Sequence, residues 1–262
     1  MARLDYVLVS RGIAPSRSSA KEMILSGAVT VNGKSVTKPS AEISDSDVVE
    51  SSVQQIYVGR GALKLEKAAE VFGLTFEGKI CLDIGASTGG FTDFMLRNGA
   101  ARVFAVDVGS DQLAESLRSD SRVVSMEKTD IRTVTTDDLG GPVDFICTDV
   151  SFISLKMILP KIHELLKDGE TAAVLIKPQF EAGKSRIGKR GIVKDMKVHV
   201  NVLADIDSFA ADLGLVPECY CFSPIKGGSG NIEYLMKLRK DTVNYRVLCD
   251  FKKLVSDSFK NL

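Results

Sequence analysis

Residues 79–93 read Lys-Ile-Cys-Leu-Asp-Ile-Gly-Ala-Ser-Thr-Gly-Gly-Phe-Thr-Asp. A short apolar run ends at Asp83, and three glycines then accompany a helical pattern from Thr88 to Asn98. A strand, a glycine-rich turn and a helix in this order begin a doubly wound α/β sheet, whose ligands bind at the carboxyl ends of the strands. Glycines let a ligand approach the backbone closely, and free N–H groups at a helix start can bind oxygen atoms.

The spacing of this turn separates two classes of cofactor. A dinucleotide-binding turn has the pattern Gly-x-Gly-x-x-Gly, whereas here a carboxylate, Asp83, precedes the first glycine. The turn resembles that of class I methyltransferases, in which acidic groups meet the cationic methionine end of S-adenosylmethionine (SAM). A second acid, Asp107, ends the next strand pattern, at about the 20-residue offset of a ribose-binding acid. NAD-binding proteins share this second acid, but the first acid and the missing third glycine favour SAM.

The composition excludes several classes of protein. A length of 262 residues allows one large and one small domain, and 44% apolar residues fit an ordinary folded core. No run approaches the roughly 18 apolar residues of a membrane helix, and the charged N-terminus has no secretory apolar region. Five scattered cysteines and two histidines indicate reduced core thiols and no zinc site. We therefore expect a cytoplasmic protein with neither a membrane segment nor a bound metal.

Residues 1–52 have the pattern of a separate small module. Ser16 is placed to cap a helix over residues 17–25, and Asn32-Gly33 supplies the tight turn of a β-hairpin. Helix, cap and hairpin recur here in the order typical of the ribosomal-protein-S4-type RNA-binding domain, which this segment resembles over about forty residues. We expect this S4-type domain and its linker to cover residues 1–58.

Basic residues are concentrated in two segments, although the 34 basic and 34 acidic side chains cancel overall. Residues 1–40 contain six bases against two acids, and residues 181–194 contain five bases and three glycines. Both segments could be solvated surface, but their charge and position favour contacts with RNA phosphates. The predicted RNA-binding residues are Arg3, Arg11, Arg17, Lys21, Lys34, Arg60, Lys184, Arg186, Lys189 and Arg190.

The remaining chain alternates strand and helix patterns. Helices are expected over 110–118, 154–167, 195–213 and 244–260, with strands between them. Such alternation predicts an α/β fold with a sheet of about seven mainly parallel strands, covered on both faces.

Three charged residues, Asp83, Asp149 and Lys177, lie where parallel strands are expected to end. In an open α/β sheet these ends lie along one crevice. Lys177 follows five apolar residues and precedes a proline, so its stem should be partly buried. Burial destabilises an ammonium group and would let a lysine act as a base, although a lysine at a strand end can also reach to water.

Four residues match a known constellation in order and local context. Lys64, Asp149, Lys177 and Glu233 resemble the Lys-Asp-Lys-Glu tetrad of the FtsJ-like ribose 2′-O-methyltransferases. The matching segments are Gly-Arg-Gly-Ala-Leu-Lys64-Leu, the turn at 83–93, Thr148-Asp149-Val-Ser-Phe-Ile-Ser, Ile176-Lys177-Pro-Gln-Phe-Glu and Gly230-Asn-Ile-Glu233-Tyr. Together with the N-terminal module, the chain resembles the TlyA family from about residue 2 to 240. Members of that family are rRNA 2′-O-methyltransferases and are also called hemolysins.

This resemblance implies a Rossmann-like class I SAM-dependent methyltransferase domain at residues 59–262. It implies methylation of a ribose 2′ hydroxyl in ribosomal RNA, with the tetrad as catalytic residues and Lys177 as the base. The implied SAM-binding residues are Asp83, Gly85, Ser87, Thr88, Gly89, Gly90, Phe91, Asp107, Val108, Asp130 and Ile131.

Three other functions would be compatible with parts of this sequence. An inactive methyltransferase fold could serve ribosome maturation, but the intact tetrad and turn argue against it. A pore-forming hemolysin needs a secretion signal and a membrane-active segment, and neither is visible. A small-molecule methyltransferase would leave the N-terminal module unexplained. The nucleotide, the ribosomal subunit, the assembly state of the RNA and the oligomeric state are left open.

Overall fold

The computed structural model describes residues 2–14, 17–52, 57–183, 186–188, 190–241 and 249–262, with Ser18 described by its backbone only. Several predicted features lie outside the described residues. These are the helix cap Ser16, most of the linker (53–56), the loop residues Lys184 and Lys189, and part of the last helix (244–248).

The N-terminal residues form a small unit with its own core. Two helices pack on short strands, and the buried side chains of Leu4, Leu8, Ile24 and Val29 fill the space between them. The predicted hairpin is present, with positive φ angles of 50° at Asn32 and 77° at Gly33. The elements are β1 Ala2–Arg3, α1 Leu4–Ser10, α2 Arg17–Leu25, β2 Val29–Val31, β3 Lys34–Ser35, β4 Glu42–Ile43 and β5 Val49–Ser51.

The rest of the described chain is built on a seven-stranded sheet with the order β11-β12-β10-β9-β6-β7-β8. Neighbours from β10 to β8 are parallel, whereas β12 is antiparallel to both β10 and β11. The strands are β6 Ile80–Ile84, β7 Arg102–Val106, β8 Val123–Met126, β9 Val143–Thr148, β10 Leu166–Ile176, β11 Leu215–Phe222 and β12 Tyr234–Lys240.

Helices cover both faces of this sheet, so the apolar strands are buried on two sides. One core joins the sheet to α6, α8 and α9, and the other joins it to α3, α4 and α5. The helices are α3 Ala62–Phe72, α4 Gly90–Arg97, α5 Glu115–Arg118, α6 Leu159–Leu165, α7 Pro178–Glu181, α8 Met196–Asp212 and α9 Phe251–Asn261. Among the described residues, none of the helices has the length and apolar character to cross a membrane. The architecture confirms the predicted α/β fold class.

Two predicted helices differ from the observed ones. The helix expected over 110–118 is confined to α5, because the backbone N–H groups of Gln112 and Leu113 donate to the Glu127 carboxylate instead of forming a helical turn. The helix expected over 154–167 is a 3-10 turn, Leu155–Met157, followed by α6. It ends before Leu166, whose extended backbone pairs with Val143 as the start of β10.

Helix α4 also begins later than expected, at Gly90 instead of Thr88. Gly89 has a φ of 92°, a left-handed conformation that cannot continue a right-handed helix. The turn before α4 is therefore longer than expected.

Candidate active site

Four charged side chains from distant parts of the chain meet at the carboxyl end of the sheet. Asp149 and Lys177 directly follow β9 and β10, Glu233 directly precedes β12, and Lys64 comes from the first turn of α3. The Lys64 Nζ atom donates to Asp149 Oδ2 over 3.0 Å and to Glu233 Oε2 over 2.8 Å. Lys177 Nζ lies 2.5 Å from Asp149 Oδ1. The four residues thus form one continuous chain of ion pairs.

Burial and neighbouring charges have opposite effects on the pKa values of these ion-paired residues. Lys64 is 7% exposed, and its burial alone would lower its pKa, but the carboxylates of Asp149 and Glu233 outweigh burial and raise the pKa. Burial would raise the pKa of Asp149, but the charges of Lys64 and Lys177 outweigh it and hold the pKa low. Lys64 therefore remains a cation and Asp149 an anion near neutral pH.

Lys177 has further neighbours in the loop after β9 and in α7. Its Nζ atom donates to Ser151 Oγ over 3.0 Å and lies 5.8 Å from the centroid of the Phe180 ring. The Phe180 ring in turn lies 5.1 Å from that of Phe152. The amine is thus bounded by a carboxylate, a hydroxyl and an aromatic face.

The glycine-rich turn packs directly against this cluster. Gly85 has a φ of 83°, and a Cβ atom there would lie 2.8 Å from the carbonyl oxygen of Asp149. A Cβ atom on Gly90 would lie 2.9 Å from the backbone nitrogen of Ala62, at the start of α3. Only glycine permits these approaches, so the backbone of the turn lies directly beside the tetrad.

The acids of the two strand ends have different surroundings. Asp107 accepts hydrogen bonds from the backbone N–H groups of Ser87 and Gly109, over 2.8 and 2.7 Å, and holds the turn in place. Asp83 is 1% exposed and accepts from the N–H and hydroxyl of Thr92, which anchors the start of α4. Burial raises the pKa of Asp83 to about 7.

Two adjoining cavities open at this edge. The tetrad cavity, of about 470 Å³, is lined by the tetrad, part of the glycine-rich turn and residues of α2 and α7. The Asp107 cavity, of about 450 Å³, is lined by part of the same turn and by Asp107, Asp130 and Ile131. The two cavities share Gly85, Ser87, Asp149, Ser151 and Phe152.

Most of the predicted SAM-binding residues line one of the two cavities. The tetrad cavity includes Asp83, Gly85, Ser87, Thr88, Gly90 and Phe91, and the Asp107 cavity includes Gly85, Ser87, Asp107, Val108, Asp130 and Ile131. Gly89 lines neither of them, since a Cβ atom there would meet Leu113 and Leu117. Close backbone at Gly85 and acids beside the turn fit a cofactor that has a cationic end and a ribose.

Several predicted RNA-binding residues already have partners within the protein. Arg3 and Arg17 both donate to the buried carboxylate of Asp5, and these hydrogen bonds, the one from Arg3 above all, lower its pKa to about 2. Arg11 donates to the backbone carbonyls of the turn at 44–47, and Arg60 pairs with Glu22 over 3.1 Å. The other described residues of this set, Lys21, Lys34, Arg186 and Arg190, are exposed.

Sequence reasoning gave no role to several residues that line the tetrad cavity, and three of them lie beside Asp149 or Lys177 in the sequence. These are Ser151, Phe152 and Gln179. Phe152 is 91% exposed and has a φ of 63°, both unusual for a large aromatic residue. All three follow the end of β9 or β10 within a few residues, as Asp149 and Lys177 do. This position in the sequence is the signal that could have identified them.

Comparisons with known proteins match two parts of the chain to two family models. Residues 57–240 match the family model of the FtsJ-like methyltransferases, and residues 2–49 match that of the S4 domain. The "Putative rRNA methyltransferase YqxC" of Bacillus subtilis is 49% identical, over 90% of this chain and 85% of the relative. The "16S/23S rRNA (cytidine-2′-O)-methyltransferase TlyA" of Mycobacterium tuberculosis is 42% identical, over 92% and 91%.

A solved structure resembles the chain over nearly its whole length. The "Putative hemolysin from Streptococcus thermophilus" is 43% identical, has a TM-score of 0.81, and is matched over 99% of this chain and 96% of the other. With both family models and these relatives in agreement, the chain belongs to the FtsJ-like methyltransferases, in the TlyA family that joins this domain to an S4 domain.

Proposed function

We propose that this protein transfers a methyl group from SAM to a ribose 2′ hydroxyl of ribosomal RNA. The observation that carries the proposal is the chain of ion pairs from Lys177 through Asp149 and Lys64 to Glu233, at the wall of a cavity that adjoins the glycine-rich turn. The names of the relatives, which include rRNA methylation at the cytidine 2′ oxygen, support the same reaction.

The four residues of the tetrad are proposed to have different roles in the reaction. A ribose hydroxyl is a weak nucleophile, so a base must take its proton as it attacks. Lys177 is proposed as this base, because it faces the cavity and contacts one carboxylate. Lys64 contacts two carboxylates, which hold it as a cation. Asp149 orients both lysines, and Glu233 fixes Lys64.

The residues around the turn would hold the cofactor. When bound, SAM supplies a methyl group on a positively charged sulfur, which leaves as a neutral thioether. Gly85, Ser87 and Gly90 would hold the methionine part, Asp107 the ribose, and Asp130 or Ile131 the adenine edge. Alignment of the two reactants contributes several kcal/mol in such reactions, roughly as much as the base.

The S4 domain is proposed to bind the RNA. It contributes Ser19 and Glu22 to the wall of the tetrad cavity, so RNA held by this domain lies beside the proposed base. The exposed bases Arg186 and Arg190, in the loop after α7, are proposed to contact RNA phosphates as well. Ribosomal RNA as the substrate implies that the protein acts in the cytoplasm.

Tritiated methyl transfer tests the proposal. Purified 30S and 50S subunits and free rRNA are incubated with labelled SAM, and the modified ribose is mapped by primer extension at low nucleotide concentration. We expect label in RNA at a 2′ oxygen, and none with Lys177→Ala. SAM binding without transfer to any of the three substrates would instead support an RNA-binding maturation factor.

A further inference from the structure

Ser151, two residues after Asp149, contacts the proposed base from outside the tetrad. Lys177 Nζ donates to Ser151 Oγ over 3.0 Å and lies 2.5 Å from Asp149 Oδ1. A lysine nitrogen has three positions besides its carbon. The hydrogen bond to Ser151 takes one of them, and the ion pair with Asp149 holds the group from a second side. These two contacts together restrict the direction of the third position, which carries the lone pair in the neutral amine.

The loop that carries Ser151 is fastened to the segment that carries Lys177. Glu181, at the end of α7, accepts from Ser154 Oγ over 2.6 Å and from the Leu155 backbone N–H over 2.8 Å. Glu181 follows Lys177 by four residues, so both ends of the loop are bound to one short segment. Ser151 is thus a fixed contact of Lys177.

The backbone of this loop is also held in an unfavourable conformation. Phe152 has a φ of 63°, which costs energy for a bulky side chain and persists only where the surrounding structure determines it. Its ring packs against Phe180 of α7, at 5.1 Å between centroids. A conformation maintained at such a cost beside a proposed base indicates that the position of this loop matters.

Ser151 also lies at the junction of the two cavities, since it lines both the tetrad cavity and the Asp107 cavity. The proposed SAM-binding residues line both cavities as well, so Ser151 lies beside the proposed cofactor site and beside the proposed base. A small error in the direction of the base at that point costs rate, because the reaction depends on aligned reactants.

We propose that Ser151 is a positioning residue for Lys177. Its hydroxyl oxygen, together with Asp149, holds the amine so that the third position on the nitrogen faces the ribose hydroxyl. The proton of that hydroxyl passes to the amine, and Ser151 exchanges no proton. This inference rests on the proposed function and adds a residue to its site.

Ser151→Ala tests the inference, since it removes a single oxygen atom. Under single-turnover conditions with saturating SAM and RNA, we expect the rate to fall about ten- to a hundredfold, with both affinities within twofold of the wild type. Ser151→Thr keeps the hydroxyl and should recover most of the rate. Ser119→Ala, an exposed serine after α5, is the matched control and should leave the rate unchanged. A wild-type rate in Ser151→Ala would overturn the proposal.

A second measurement does not depend on methyl transfer. Nuclear magnetic resonance of the lysine ammonium groups, with Lys177 assigned through Lys177→Arg, reports how firmly that group is held. In Ser151→Ala we expect faster hydrogen exchange with water and greater motion at Lys177, with an unchanged melting temperature. An unaltered Lys177 signal would show that Ser151 does not orient the amine. If the wild type transfers no methyl to rRNA, the proposed function fails, and this signal alone decides whether Ser151 holds Lys177.

Discussion

Lys64 and Lys177 are both buried, yet their surroundings differ. Lys64 donates to two carboxylates, whereas Lys177 contacts one carboxylate and one hydroxyl. A cation between two anions is difficult to deprotonate, so the less compensated lysine is the better candidate for a base. The sequence indicated the four residues but not this asymmetry, because it depends on which carboxylate oxygen each lysine reaches.

Exchange of each lysine for arginine should separate these two roles. Arginine keeps the positive charge but cannot give up its proton near neutral pH. Lys177→Arg should still bind SAM and RNA but lose at least about a hundredfold in single-turnover rate, within the usual contribution of a general base. Lys64→Arg should be milder, because arginine still supplies the charge between Asp149 and Glu233. Near wild-type turnover by Lys177→Arg would leave the tetrad a positioning role only.

The buried carboxyl group of Asp83 should make the stability of the protein depend on pH. Its native carboxyl keeps its proton up to about pH 7 because it is buried, whereas an unfolded aspartate loses its proton near pH 4. Between these values the native state binds more protons than the unfolded state, so this group's contribution to the free energy of unfolding falls as pH rises from about 4 to 7.

Asp83→Asn cannot titrate and should lose this contribution. Relative to the wild type, the variant should gain stability with rising pH in that window, by up to about 1.4 kcal/mol per pH unit. Urea denaturation at pH 5, 6, 7 and 8 measures the difference, and other titrating groups cancel between the two proteins. Parallel curves would contradict the raised pKa. Bound SAM should reduce the wild-type dependence, because a nearby cation favours the ionised carboxylate.

Among the elements, the turn between β6 and α4 joins the two cavities. Gly85 and Gly78 both have positive φ angles, 83° and 70°, so alanine at either position should cost about 1–2 kcal/mol of stability. A Cβ atom at Gly78 meets nothing within 4 Å, whereas one at Gly85 meets the Asp149 carbonyl at 2.8 Å. Only Gly85→Ala should therefore displace the backbone beside the tetrad.

Calorimetry with SAM and single-turnover assays compare these two variants. Gly78→Ala should keep both the affinity and the rate, and Gly85→Ala should lose both while remaining folded. Equal losses in the two variants would mean that general backbone strain, and not the collision with Asp149, is responsible.

The elements that could be predicted are those that a local pattern specifies. The apolar run before Asp83, the Asn32-Gly33 hairpin and the strand ends at Asp149 and Lys177 needed only spacing and turn chemistry. The start of β10 at Leu166 could not be predicted, because it depends on pairing with Val143. The partners of Arg3 and Arg17 were missed for the same reason, since Asp5 becomes a buried acceptor only when α1 and α2 pack together.

At the scale of the whole molecule, the S4 domain and the methyltransferase domain share the wall of one cavity. Ser19 and Glu22 of α2 line it together with the tetrad, and Glu22 pairs with Arg60 just before α3. Both side chains of this pair are about half exposed, so the pair contributes little to stability. An RNA phosphate could therefore replace Glu22 as the partner of Arg60.

Glu22→Gln should accordingly bind RNA more tightly. It removes a negative charge from the mouth of the cavity and leaves Arg60 free for a phosphate, a gain of about 1 kcal/mol or roughly fivefold for charges in contact near water. Glu50→Gln changes another exposed acid, on β5 of the same domain, and is the control for the change in net charge. Filter binding to an rRNA fragment over a range of salt concentrations measures both variants.

Arg60→Ala tests the same contact from the other side. If Arg60 contacts an RNA phosphate in the wild type, Arg60→Ala loses that contact, and its RNA binding should depend less on salt concentration than that of the wild type. If Glu22→Gln instead weakens RNA binding while Glu50→Gln does not, the pair serves to dock the two domains, and Arg60 is not an RNA contact.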